Sequence, residues 1–167
     1  MELLEATVTV EALDEFVATL GEISDEHGVA VQAFDARYIV DREHLARAVE
    51  LADRAFERGE NIADDRAVEI LLYAAGRRQI NRALELGVDA GGCPAVFVAH
   101  DSTGDGDQAA AVAAIRSLES VEPAKTLGAY DPERVREWFD ISETELETGA
   151  DLSALVRERV ALLVVEK

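Results

Sequence analysis

Residues 61–87, NIADDRAVEILLYAAGRRQINRALELG, read as two short helices joined by a tight turn. Asp64 can cap the first helix, because a carboxylate accepts from the free amides of a first turn. Val68, Leu71, Leu72 and Ala75 recur at helical spacing and give that helix one apolar face. Gly76 stands where a left-handed stop is wanted, since it has no side chain to clash there. Ile80, Ala83 and Leu84 repeat the pattern, and Gly87 is expected to stop it again. Helices this short are unstable alone and must rest on a larger body. That body then presents Arg77, Arg78 and Gln79 where the second helix begins.

The flanking sequence supplies the body. Residues 3–10 read as a strand, with Val8, Val10 and the β-branched Thr7 and Thr9. Residues 11–26 read as an amphipathic helix with Leu13, Phe16, Val17 and Leu20 inward, closed near Gly28. Val29 to Phe34 alternates as a strand does. Asp41 reads as an N-cap, with Val40 and Leu45 spaced as a hydrophobic staple, for a helix running to about Arg58. Ala95–Ala99 is a short buried strand, DSTGDGD a loop, and Ala109–Leu118 a helix of small residues. Asp131-Pro132 opens another helix, because proline suits the first helical position. Ser142 and Glu145 have capping-box spacing. The chain reads helical again from Leu152, and its run Val160–Val165 is apolar all round, which predicts burial on several sides. The expected fold class is α+β: one domain over residues 1–167, with helices packed mainly on one side of a small sheet in two layers.

Composition narrows the function. The chain has 167 residues, 49% of them apolar, enough to bury a core. No segment is both long and uncharged enough to span a bilayer. The acidic start MELLEATVTVEALDEF does not read as a signal peptide. The single cysteine, Cys93, fits a reducing cytoplasm. The formal charge is −19, and only Lys125 and Lys167 among the 16 basic residues are lysines. Acidic excess with scarce lysine suggests a salt-rich cytoplasm, that of a halophilic archaeon. There the Debye length falls to roughly 3 Å at 1 M and carboxylate repulsion is screened.

Candidate chemistry is sparse. Cys93 follows Gly91-Gly92, but no base adjoins it in sequence to lower its pKa. His27, His44 and His100 share no metal-ligand spacing with each other or with Cys93. Asp101, Asp105 and Asp107 resemble a calcium loop, but the twelfth position holds Val112 where a bidentate Glu is needed. Gly104 and Gly106 lack the third glycine of a dinucleotide loop. No catalytic residue, metal or cofactor is expected. Arg77 and Arg78 either pair with carboxylates such as Glu69 and Glu85, or serve as phosphate forks and base-stacking groups.

A resemblance bears on that choice. Asn61-Ile62, Glu69-Ile70-Leu71-Leu72-Tyr73, Gly76, Arg78-Gln79-Ile80, Ala83-Leu84 and Gly87 resemble the small regulatory subunit of the KEOPS complex, in animals the PRPK-binding protein (TPRKB). The likeness extends to His44-Leu45-Ala46, Ala48 and Ala52, and more faintly to Phe139-Asp140-Ile141-Ser142 and the C-terminal segment. It implies a non-catalytic cytoplasmic subunit of the machinery for tRNA threonylcarbamoyladenosine modification. Such a subunit binds the kinase-like ATPase subunit through a helical face and meets the other KEOPS subunits indirectly. It also implies that Asn61, Ile62, Arg77, Arg78 and Gln79 hold the tRNA 3′ CCA end. The alternatives are a small cytoplasmic enzyme using Cys93, and a kinase-regulating adaptor without RNA contact.

Overall fold

The sheet is built around one long strand. In the computed structural model, which describes residues 1–166, β3 (Gly91–His100) lies between β1 (Glu2–Val10) and β2 (Ala30–Asp35). All neighbours are antiparallel, with Glu2 opposite Ala99, Val10 opposite Gly91 and Ala30 opposite His100. A short strand β4 (Val121–Pro123) extends the far edge of β1 and gives the order β2-β3-β1-β4. β1 leads to β2 through helix α1 (Leu13–His27), and β3 to β4 through α5 (Gln108–Arg116), each crossing a strand in between. This is the split βαβ arrangement.

The other helices are α2 (Arg42–Glu57), α3 (Arg66–Ala75), α4 (Ile80–Ala83), α6 (Pro132–Trp138), α7 (Glu143–Glu147) and α8 (Leu152–Glu166). Phe34, Val96 and Val98 join Leu45, Leu51, Ile70, Leu72, Val135 and Val156 in one core, so α2, α3, α6 and α8 cover one face of the sheet. The α+β class and the weight of helices on one side follow the expectation. The second layer of helices was not expected: α1 and α5 cover the other face, where Phe16, Leu20, Ile23 and Ile115 meet Leu4, Val8 and Phe97. The arrangement is therefore three layers, not two. Cys93 and Ala95–Ala99 of β3 are all buried, because covering both faces removes the polar alternation a half-exposed strand would show.

Local signals explain most boundaries. Asp41 accepts from the His44 amide at 2.8 Å, and Val40 and Leu45 are both buried beside it. The Ser142–Glu145 capping box is formed in both directions. Gly76 ends α3 at φ 62°, with Arg77 N–H donating to Leu72 O and Gly76 N–H to Tyr73 O, both at 3.1 Å. The N-cap of α3 is Asp65, one residue later than expected, accepting from Ala67 and Val68. Gly87 closes a 3-10 turn over Leu84–Leu86 with extended backbone, not a left-handed stop. Val17 points outward, 56% exposed, while Ile23 takes the inward place.

Two apolar expectations change more. The strand expected at Ala95–Ala99 already begins at Gly91, with Gly91, Gly92 and Cys93 opposite Val10, Thr9 and Val8. In α8 only one side is enclosed: Val160 and Leu163 are buried, whereas Leu162 and Val165 are 40% and 80% exposed. His44 is wholly buried between α2 and α3. Its Nε2 donates to Ala74 O at 2.8 Å, Nδ1 accepts from Val40 N–H at 3.4 Å, and Phe139 meets the ring edge-on at 5.7 Å.

Candidate functional site

α3 runs through the middle of the larger core, with Ile70–Ala75 all buried, and both of its ends carry residues singled out in the sequence. At the first end, Asn61 donates to Ala63 O at 2.8 Å. Glu69, fully buried, accepts from the amides of Ile62 and Ala63 at 2.8–3.0 Å. A carboxylate that takes up these amides straps residues 61–63 against α3. Arg77, Arg78 and Gln79 lie past the other end. Ten helical residues separate the two groups, a rise of about 15 Å along the axis. Asn61 and Ile62 thus precede α3, with Ile62 strapped to Glu69 inside it, and the arginines follow its last turn.

At the arginine end the left-handed turn at Gly76 directs the chain toward α6. Arg78, Gln79 and Ile80 are exposed, and Arg77 is half-buried. The Arg77 guanidinium lies 4.6 Å from the Trp138 ring centroid, and its Nη2 donates to Trp138 O. Trp138 Nε1 in turn donates to Ala75 O at 2.9 Å. Tyr38 meets Trp138 edge-on at 6.0 Å and donates its hydroxyl to Glu85 at 2.9 Å. Burial raises the Tyr38 pKa above its usual value. On the far side Arg134 sits 5.5 Å from the Tyr38 ring centroid. Between these groups opens a groove of about 530 Å³, whose lining includes Arg77, Arg82, Arg134, Glu85, Glu137 and Trp138.

In a chain of formal charge −19, the segment 76–84 carries Arg77, Arg78 and Arg82 and no carboxylate. Exposed Ile80 and Leu84 lie beside them. Guanidinium groups next to apolar and aromatic surface can fork phosphates or stack on bases. Tyr38 and Trp138 escaped the sequence reading because they lie 39 and 61 positions from Arg77 and no local spacing links them. Trp138 is, however, the chain's one tryptophan.

A family model described as kinase binding protein CGI-121 matches residues 9–163. The chain belongs to the CGI-121 family. A search of curated proteins finds no match. The CGI-121 match takes in β2, β3, β4, the last two residues of β1, helices α1 to α7 with the arginine end of α3, and most of α8.

The remaining candidates have local partners. Cys93 is buried, which pushes its thiol up to about 11, and its Sγ donates to Pro94 O at 3.3 Å. His100 stands seven residues further along β3, about 24 Å at strand rise, with Nε2 donating to Asp53 at 2.6 Å. The Asp101 carboxylate accepts from the amides of Thr103, Gly104 and Gly106, so the acidic loop closes on itself. Among the described residues no group of three metal-ligating side chains occurs, and no helix is long and apolar enough to cross a membrane.

Proposed function

We propose that this chain is the non-catalytic small subunit of a KEOPS complex, binding the kinase-like ATPase subunit and holding the 3′ CCA end of tRNA for threonylcarbamoyladenosine modification. The carrying observation is the CGI-121 match over residues 9–163 together with the cluster Arg77, Arg78 and Gln79 thrown clear of α3 beside an aromatic groove. Kinase binding through a helical face is supported by α8, whose Leu162 and Val165 are the exposed apolar side chains such a contact needs. Asn61 and Ile62, at the other end of α3, would meet a different part of the tRNA tail than the arginines do. A cytoplasmic place in a salt-rich cell accords with the acidic composition. There the −19 charge repels RNA less, because molar salt shortens the range of repulsion.

The charge favours a second reading, a kinase-regulating adaptor without RNA contact. Gel-shift titration separates the two: the proposal expects binding of intact tRNA and a marked loss when CCA is removed. Capture of the kinase-like subunit with no tRNA binding at any salt would leave the adaptor.

A further inference from the structure

Arg77 is ordered before any ligand arrives. The Gly76 turn lays it over α6, with the guanidinium 4.6 Å from the Trp138 ring centroid and Nη2 donating to the carbonyl oxygen of the same residue. Trp138 is itself fixed on two sides, by Nε1–H to Ala75 O at 2.9 Å and by the Tyr38 ring at 6.0 Å. A free arginine loses rotamer freedom when it binds, whereas one already stacked has given it up on folding. Filling the core would require only a large apolar side chain at position 138. An electron-rich ring under a guanidinium does something more, since the attraction comes from the ring quadrupole.

We propose that Trp138 is a positioning residue: its indole face holds the Arg77 guanidinium at the mouth of the groove, ready for a phosphate or base of single-stranded RNA. This rests on the RNA-binding reading above and adds to it a residue outside the Asn61–Gln79 segment. Arg134, parked on Tyr38 across the groove, is arranged in the same manner and marks the opposite wall.

Because Trp138 is the only tryptophan, fluorinated tryptophans incorporated in place of the natural one alter this ring alone. Fluorine withdraws charge from the ring face with little change of shape. The full-length protein carrying one, two or three fluorines should bind tRNA progressively more weakly at fixed KCl, while its melting temperature changes little. Trp138→Leu should lose roughly tenfold in affinity, as Arg77→Gln does. The double variant should be no weaker than Arg77→Gln alone, and Trp138→Phe should fall between wild type and Trp138→Leu, because a benzene ring holds a cation less well than indole and lacks the Nε1–H that meets Ala75 O. In the RNA-free protein the Arg77 Nε–H resonance should be resolved in wild type and Trp138→Phe and averaged in Trp138→Leu. Affinity indifferent to fluorination, or losses from Trp138→Leu and Arg77→Gln that add in full, would overturn the positioning role. Failure of the wild-type protein to bind tRNA would overturn the RNA reading and the role with it. An Arg77 resonance unchanged in Trp138→Leu overturns the stack by itself.

Discussion

Acidification should weaken this fold through one side chain, His44. Its ring has no exposed surface, and burial holds its pKa at about 4, against an ordinary value of 6.5. The two hydrogen bonds define the neutral form: a carbonyl oxygen can only accept, so Nε2 carries the proton toward Ala74, and Nδ1 must accept from Val40. Protonation would set a second N–H against the Val40 donor. Between pH 6.5 and 4 the unfolded chain binds the proton and the folded chain does not. The contribution is therefore complete above about pH 6.5 and is lost as the pH falls toward 4. Linkage gives a loss of about 2 kcal/mol at pH 5 and about 3 kcal/mol at pH 4. Urea unfolding of wild type and His44→Gln, at one KCl concentration from pH 7 to 4, measures it. Glutamine keeps a donor for Ala74 but cannot titrate, so the variant should be less stable at pH 7 and the two curves should converge on acidification. A stability difference that stays constant over that range would refute the reasoning, as would an imidazole that titrates near 6.5 by NMR.

Other outcomes follow from the same structure. Gly106 lies against the end of α1, where an added Cβ would come 2.4 Å from Gly28 O and 2.8 Å from Val29 Cγ1. Gly106→Ala should cost about 1–3 kcal/mol and lower the melting temperature by several degrees. If the −19 charge is an adaptation to salt, the melting temperature should climb as KCl rises from dilute to molar; a flat or falling profile would argue against that adaptation. The fluorotryptophan series at Trp138 tests how Arg77 is held.

Much of the fold could be read locally. The Asp41 cap, the Ser142–Glu145 box and the stop at Gly76 are settled within a few residues, and each formed. What the sequence hid depends on distant partners. Gly91-Gly92-Cys93 has turn composition, yet pairing with Val8–Val10 makes it strand, a tertiary effect overriding propensity. The second helical layer was foreshadowed only by the lack of alternation in β3. The uniform apolar run of α8 concealed that Leu162 and Val165 stay exposed. At the candidate site, the arginines were visible and their setting was not. Arg77 is half-buried, and its stack and hydrogen bond to Trp138 give it a structural part as well as a candidate binding one, whereas Arg78 stands exposed.

That contrast shapes the most direct test of the proposed function: tRNA affinity of wild type, Arg78→Glu and Arg77→Glu/Arg78→Glu, for transcripts with and without CCA. Melting temperature and capture of the kinase-like subunit are followed in parallel. A contact by arginine is worth on the order of 1–3 kcal/mol, so Arg78→Glu should weaken binding of intact tRNA several-fold or more, and the double change further. Both variants should still capture the kinase-like subunit, and neither should bind much worse when CCA is removed. Wild-type affinity in a folded double variant, or equal binding by the wild-type protein of tRNA with and without its CCA end, would contradict the account.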